Sequence, residues 1–125
     1  MIYGTGIDIV DVDRIDQAYQ RWGEKFPKKF LREEEINYCM KQSNPLPSIA
    51  ARFAGKEAIS KAFGTGIGTK LKWHDLEIIH NKHTRPTVKL HGKAIDLLMD
   101  LGGKKAHISL THSKGQAAAL AIIES

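Results

Sequence analysis

The stretch between a proline-rich turn and a glycine-rich loop constrains the fold of this chain more than any other segment. Ser43-Asn44-Pro45-Leu46-Pro47 is rich in turn-forming residues, and the run from Gly64 to Gly68 contains three glycines. Both compositions interrupt regular structure, so the residues between them are free to form one continuous element. The sequence predicts a long helix there, from about Ser48 to Phe63.

One face of this helix carries functional groups. Phe53, Glu57 and Lys61 lie four residues apart and therefore point the same way. A Glu followed four residues later by a Lys is also a common surface ion pair, worth about 0.3–0.5 kcal/mol. From the residues alone, that ordinary pair is the favoured interpretation. The alanines beside this face leave room around it, and they are Ala50, Ala54 and Ala58.

The rest of the sequence predicts strands and shorter helices around the long helix. Tyr3 to Val10 is rich in β-branched residues and predicts a strand, and Asp13-Arg14-Ile15-Asp16 resembles a helix start with an acidic first turn. A predicted buried stripe of that helix consists of Ile15, Tyr19, Trp22 and Phe26. The remaining predicted elements are helices over Arg32–Met40 and Gly92–Leu101 and strands over 73–80, 87–90, 105–112 and 116–123. With 125 residues, the chain is predicted to be one α+β domain spanning residues 1–125.

The charge balance favours an anionic partner. The sequence has 19 Lys and Arg against 14 Asp and Glu, a net charge of +5, which suits nucleic acid, a phosphate ligand or an acidic protein. On the first helix, Arg14, Arg21 and Lys25 form a basic stripe beside the predicted buried stripe. No nucleic-acid reader motif is present, so a small nucleic-acid-binding domain is an alternative that only the charge supports.

The sequence also predicts where the protein works. It has no run of about 18 apolar residues that could span a membrane, and no basic segment followed by an apolar stretch at its start. The single Cys39 cannot form an internal disulfide. These features indicate a protein of the reducing cytosol.

Three positions outside the helix are candidates for chemistry. Asp8 lies among branched apolar residues in a predicted strand, where a carboxylate needs a local reason such as a cation, although a solvated or helix-capping role is equally compatible. His112 ends the apolar alternation of the strand that precedes it, and either ligand binding or turn capping explains it. The Gly64 to Lys70 stretch matches neither GxGxxG nor a P-loop, so a helix C-cap is its simpler interpretation. The sequence contains no HExxH motif and no paired-cysteine spacing, so it predicts no zinc site.

Three segments together carry a family resemblance. They are Gly4-Thr5-Gly6-Ile7-Asp8-Ile9-Val10, Arg52-Phe53-Ala54-Gly55-Lys56-Glu57-Ala58-Ile59-Ser60-Lys61-Ala62-Phe63-Gly64-Thr65-Gly66 and Ile108-Ser109-Leu110-Thr111-His112-Ser113. In order and spacing over the whole chain they resemble the holo-[acyl-carrier-protein] synthase family of small bacterial 4′-phosphopantetheinyl transferases. The chain departs from that pattern at Gly55, where the family usually has Ala, and at Lys114, where an acidic residue is common.

The resemblance implies a fold and a reaction. The fold is an antiparallel sheet packed against a long helix, and the reaction moves phosphopantetheine from coenzyme A to a serine of the apo acyl carrier protein, releasing adenosine 3′,5′-bisphosphate. It implies Mg²⁺ held by Asp8 and Glu57, with Glu57 and Lys61 as catalytic residues. Coenzyme A would be bound by Lys61, the Gly64-Thr65-Gly66 loop and His112. The base that takes the serine proton stays open among Glu57, a metal-bound water and an acidic residue of 33–35.

The resemblance also implies partners and a cellular role. Arg14, Arg21 and Lys25 would dock the acidic carrier protein, and the coenzyme A site would lie between subunits of a homotrimer in the cytoplasm. The implied role is in fatty acid biosynthesis and lipid metabolism, without nucleic-acid or membrane partners. A magnesium-dependent phosphohydrolase of a nucleotide diphosphate is the alternative that would use Asp8, Glu57 and Lys61 equally well.

Overall fold

The computed structural model describes residues 1–81 and 83–125. No helix within these ranges is long and apolar enough to cross a membrane. The elements in chain order are β1 (Ile2–Asp11), α1 (Val12–Trp22), α2 (Lys25–Lys28), α3 (Glu33–Met40), α4 (Pro45–Phe63), a 3₁₀ turn (Trp73–Asp75), β2 (Leu76–Ile79), β3 (Thr87–Leu90), α5 (Lys93–Asp100), β4 (Lys105–His112) and β5 (Gln116–Glu124).

The strands form two antiparallel sheets. A three-stranded sheet has the order β1-β5-β4, and a second sheet pairs β2 with β3. Helix α4 packs on one face of the larger sheet and contributes most of its buried residues to the two apolar clusters of the core. The predicted α+β class, with an antiparallel sheet against a long helix, is confirmed.

Strand β1 lies unusually close to helix α4. A Cβ atom added at Gly6 would collide with the backbone carbonyl oxygen of Ala58, and one added at Gly4 would collide with that of Ala62. Ala58 is fully buried and Ala62 is 3% exposed where the strand lies against them. The small residues of α4 therefore allow strand β1 to pack closely against the helix. From the sequence, they had suggested only free space around the charged face.

The strand register decides which side chains face α4. Asp8 pairs with Ala119 of β5, and the neighbouring Ile7 pairs with Leu120. Because side chains alternate across a strand, Gly6 and Asp8 face the helix while Ile7 faces away. The outer face of the sheet is apolar and exposed, with Ile7 at 68%, Ile9 at 61% and Leu120 at 42% exposure.

The first helical region differs from its prediction. Helix α1 begins at Val12 and ends at Trp22, because Gly23 takes a positive φ of 62° there. Phe26 consequently lies on the separate short helix α2. The prediction of a buried Trp22 is wrong: its ring is 48% exposed and lies 5.0 Å from the cations of both Arg21 and Lys29.

Other boundaries moved for local reasons. The predicted strand over 73–80 begins with the 3₁₀ turn, in which the Asp75 carboxylate accepts a hydrogen bond from the Lys72 backbone at 3.0 Å, and only Leu76–Ile79 is strand. The side chain of Asp11, at the N-cap of α1, makes no capping bond; its Oδ1 accepts a hydrogen bond from Gln116 Nε2 at 3.1 Å.

A buried ion pair fixes α4 against the rest of the core. Lys56 Nζ lies 2.7 Å from Glu35 Oε1, and both side chains are almost fully buried. The ammonium also donates to the carbonyl oxygens of Phe30 at 2.6 Å and Trp73 at 3.2 Å. Burial lowers the pKa of Lys56, and the carboxylate of Glu35 opposes that shift. The pair therefore connects α3, α4 and the segments that carry Phe30 and Trp73.

The departure of this chain at Gly55 has a packing reason. A Cβ at this position would lie 2.6 Å from Ile78 Cδ1 and 3.2 Å from Leu110 Cδ2. Both distances are shorter than van der Waals contact, so these two side chains fill the space that an alanine would need.

Candidate active site

Asp8 and Lys61 meet where β1 crosses α4. Lys61 Nζ donates to Asp8 Oδ1 at 3.1 Å and to the carbonyl oxygen of Ile7 at 3.0 Å. The Asp8 side chain is 19% exposed and that of Lys61 is 50% exposed. In the described parts of the chain Lys61 thus pairs with Asp8 across elements, and not with Glu57 along its own helix.

Glu57 lies beside this pair, and the Lys61 ammonium does not fully neutralise its negative charge. Partial burial raises the pKa of the Glu57 carboxyl, the nearby Asp8 carboxylate raises it further, and the ammonium of Lys61 lowers it in part. The two carboxylates are therefore close enough to repel each other, and one half-exposed ammonium does not neutralise both. A further cation would be stabilised between them.

A groove of about 480 Å³ runs from these carboxylates to the first helix. We call it the acidic groove, and its lining residues are Asp8, Ile9, Val10, Asp11, Arg14, Ile15, Ala18, Phe26, Phe53 and Glu57. Its walls come from β1, α1, α2 and α4. The groove thus joins the carboxylates predicted as metal ligands to Arg14 of the predicted docking stripe.

The residues predicted to dock the carrier protein are exposed, as a binding face requires. Arg14 and Arg21 lie on α1, seven positions apart and so on one side of that helix. Lys25 lies on α2, after the turn at Gly23. Trp22, predicted from the sequence to be buried, adds an exposed aromatic ring beside Arg21.

The loop after α4 is a helix cap. The backbone N–H of Gly64 donates to Lys61 O at 2.9 Å, and those of Thr65 and Gly66 donate to Ser60 O at 3.3 and 3.2 Å. Gly64 adopts the left-handed conformation with a φ of 84°. Because these three amides are engaged in the cap, they are not free to bind a phosphate of coenzyme A.

His112 lies at a different pocket, one of about 570 Å³ beside the first half of α4. We call it the arginine pocket, and its lining residues are Tyr38, Gln42, Ser43, Asn44, Pro47, Ser48, Ala51, Arg52, His80, Leu110, Thr111 and His112. Neither Asp8 nor Glu57 lines it. The predicted coenzyme A residues of one subunit are therefore divided between two places.

Arg52 is the functional candidate that the sequence analysis missed. Its side chain is 2% exposed, and Nη1 donates to Ser48 Oγ at 3.1 Å. Among the described residues, Nε and Nη2 have no hydrogen-bond partner. An arginine among the alanines of a buried helix was the available signal, because a buried guanidinium requires a partner.

Comparisons with known proteins agree on one family. A model of the 4′-phosphopantetheinyl transferase superfamily matches residues 4–122. A holo-[acyl-carrier-protein] synthase of Koribacter versatilis is 46% identical over 124 residues, which cover 99% of each chain.

Solved structures agree with the sequence comparison. The holo-[acyl-carrier-protein] synthase of Neisseria meningitidis superposes with a TM-score of 0.92 at 30% identity, covering 100% of both chains. The Helicobacter pylori enzyme in complex with coenzyme A superposes with a TM-score of 0.85 at 32% identity, covering 96% of this chain and 99% of that one.

The carboxylate pair makes a prediction about titration. In the metal-free protein, the pKa of Glu57 should lie above the ordinary value for a glutamate. Asp8→Asn should lower the Glu57 pKa because it removes the repelling charge, and Lys61→Met should raise it because it removes the stabilising ammonium. Carboxyl ¹³C NMR titration measures each variant. A Glu57 pKa that ignores both substitutions would show that the three side chains do not share one electrostatic site.

Proposed function

The chain belongs to the holo-[acyl-carrier-protein] synthase family of the 4′-phosphopantetheinyl transferase superfamily, and we propose that it uses the acidic groove with magnesium held by Asp8 and Glu57. It is a transferase that moves 4′-phosphopantetheine from coenzyme A to a serine of the apo acyl carrier protein. The product released is adenosine 3′,5′-bisphosphate. The observation that carries the site assignment is the meeting of Asp8, Glu57 and Lys61 beside an exposed basic helix.

The donor set fits magnesium. In the described part of the chain no group of three or more His, Cys, Asp and Glu comes together, so Asp8 and Glu57 would hold the ion as a pair. Magnesium in phosphoryl-transfer sites commonly takes one or two carboxylates and completes its shell with substrate phosphates and water. The raised pKa of Glu57 supports this assignment, because a cation would relieve the repulsion from Asp8. When bound, the ion supplies charge neutralisation on the diphosphate.

Lys61 would contact the phosphate that leaves. Two of its three ammonium protons point to Ile7 O and Asp8 Oδ1, which leaves one donor for a phosphate oxygen. A positioned ammonium stabilises the negative charge that develops on the leaving phosphate as the serine oxygen attacks.

Glu57 is the best placed protein group to take the serine proton. Its carboxylate borders the acidic groove, where the serine hydroxyl of a docked carrier protein would enter. Glu35, one of the alternatives, is committed to the buried pair with Lys56. Glu33 and Glu34 line a different pocket from Glu57.

The basic face of α1 would receive the carrier protein. Arg14 lines the acidic groove, so an acidic protein docked on Arg14, Arg21 and Lys25 would present its serine to the carboxylates. Trp22 offers an exposed ring next to Arg21, and aromatic residues with arginine are the usual anchors of protein interfaces.

The nucleotide end of coenzyme A would bind the arginine pocket. A phosphate-bearing ligand would satisfy the two guanidinium nitrogens of Arg52 that have no protein partner within the described chain. His112 lines the same pocket. Because the carboxylates line a separate groove, one coenzyme A molecule would use the acidic groove of one subunit and the arginine pocket of its neighbour.

The outer sheet face supports such an assembly. Ile7 and Leu120 are paired neighbours on β1 and β5, and with Ile9 they leave an apolar surface exposed on the subunit. Contiguous exposed apolar surface of this kind marks interfaces. In a homotrimer, three copies of this face would cover one another.

The proposed cellular setting follows from the reaction. Priming of the acyl carrier protein serves fatty acid biosynthesis and lipid metabolism, and we assign the enzyme to the cytoplasm. The sole Cys39 is free and buried, which suits a reducing compartment.

The transfer is tested by the intact mass of apo carrier protein after incubation with coenzyme A, magnesium and the enzyme. We expect a gain of one phosphopantetheine with the wild type and little gain with Asp8→Asn or Glu57→Gln, because each variant loses a hard anionic ligand. Lys61→Ala should be slow at every magnesium concentration, because added metal does not replace a positioned ammonium. Unchanged carrier mass together with hydrolysis of the coenzyme A diphosphate would contradict the transferase and indicate a hydrolase.

Charge reversal on the first helix tests the docking face. Arg14→Glu and Arg21→Glu should raise the Michaelis constant for carrier protein strongly and leave that for coenzyme A nearly unchanged. They should also weaken the salt dependence of the wild type, because rim charges act through screened attraction. Steady-state kinetics at several salt concentrations measures this, with Lys93→Glu on α5 as a control of equal charge change. A loss confined to coenzyme A would assign the stripe to the nucleotide instead.

A further inference from the structure

Tyr38 of helix α3 contacts both Arg52 and His80. The guanidinium carbon of Arg52 lies 4.3 Å from the centroid of the Tyr38 ring. The His80 ring lies nearly parallel to that of Tyr38, with centroids 5.4 Å apart and 25° between planes. Tyr38 Oη and His80 Nδ1 are 3.3 Å apart, so the hydroxyl can donate to an unprotonated Nδ1. All three residues line the arginine pocket.

Arg52 needs a contact that holds its guanidinium without consuming its donors. Only Nη1 is engaged, by Ser48 one turn earlier on the same helix, while Nε and Nη2 have no partner in the described residues. A single hydrogen bond fixes the guanidinium at one nitrogen only, so the direction of its other N–H groups depends on the groups that pack against the guanidinium plane. The face of an aromatic ring restrains a guanidinium plane and leaves its edge N–H groups available.

We infer that Tyr38 is a positioning residue that presents the free N–H groups of Arg52 to the phosphate-bearing nucleotide of coenzyme A. His80 fixes the Tyr38 ring through the stacked contact and the bond to its hydroxyl. This inference rests on the proposed function, because it takes the arginine pocket as the nucleotide site. It adds that affinity for the nucleotide depends on an aromatic ring that itself touches no phosphate.

A positioning role of Tyr38 differs from a role as a residue of the pocket wall or of the core. A wall residue contributes its own contact with the ligand, so its loss would weaken binding whatever stands at position 52. A positioning residue acts only through Arg52, so its loss should have no effect once the guanidinium is gone. A double-mutant cycle separates these two roles.

The experiment is calorimetric binding of adenosine 3′,5′-bisphosphate to the full-length protein, without carrier protein or catalysis. We expect Tyr38→Leu to weaken binding about tenfold, the scale of a desolvated cation–π contact. Arg52→Gln should weaken it more, and the double variant should bind no more weakly than Arg52→Gln alone. Tyr38→Phe keeps the ring and is the matched control, with only a small loss from the missing bond to His80.

Kinetics gives a second readout. Tyr38→Leu should raise the Michaelis constant for coenzyme A, while kcat at saturation and the Michaelis constant for carrier protein stay near wild type, because the acidic groove is untouched. Equal losses from Tyr38→Leu in the wild-type and Arg52→Gln backgrounds, or no loss in either, would overturn the inference.

Two controls keep the outcomes distinct. Should Tyr38→Leu fold poorly by circular dichroism, Tyr38→Met takes its place in the same cycle, because it keeps a long apolar side chain and loses the aromatic ring. It should weaken binding about tenfold in the wild-type background only, and equal losses in both backgrounds, or no loss, would overturn the inference. A wild type that transfers phosphopantetheine but does not bind the bisphosphate overturns the inference while the transferase stands. A wild type that binds it but transfers nothing contradicts the proposed function instead.

Discussion

The direct contact of strand β1 with the backbone of helix α4 determines how the three charged groups at the acidic groove, Asp8, Glu57 and Lys61, lie relative to one another. Gly4 and Gly6 make it possible, since any side chain there would meet the carbonyl oxygens of Ala62 and Ala58. Only this close approach lets Lys61 reach both Ile7 O and Asp8 Oδ1. A strand held farther away would leave Asp8 and Glu57 as two unrelated surface carboxylates.

Helix α4 distributes its charged residues in three directions. Lys56 is directed into the core, where it meets Glu35; the next residue, Glu57, borders the acidic groove, and Arg52 lines the arginine pocket. Removing one partner of a buried pair such as Lys56 and Glu35 typically costs about 3–5 kcal/mol, because the other charge stays buried. The pair thus fixes the rotation of α4, and that rotation sets the directions of Glu57 and Arg52.

Much of this arrangement could be predicted from the sequence, because local sequence patterns determine local structure. The turn and the glycine-rich loop around α4, and the β-branched residues of Tyr3 to Val10, predicted both elements that meet at the site. The partner of Lys61 could not be predicted from the sequence. Spacing along one helix favours Glu57, whereas Lys61 contacts Asp8, a strand residue that tertiary packing brings near. The burial of Trp22 was predicted wrongly for a similar reason. Helix α1 ends before Gly23, and the Trp22 ring lies beside the cations of Arg21 and Lys29 instead of in the core. The arginine pocket could not be predicted because Tyr38, Arg52 and His80 come from three separate elements.

We propose that each active site is assembled from the acidic groove of one subunit and the arginine pocket of the next. Subunit mixing tests this proposal. Glu57→Gln and Arg52→Gln proteins should each be nearly inactive at low coenzyme A, and the two are unfolded together and refolded as an equal mixture. The mixture should recover roughly a quarter of wild-type transfer, because each head-to-tail interface draws its two halves at random. Activity no higher than the mean of the two separate variants would contradict a shared site and return both halves to a single subunit.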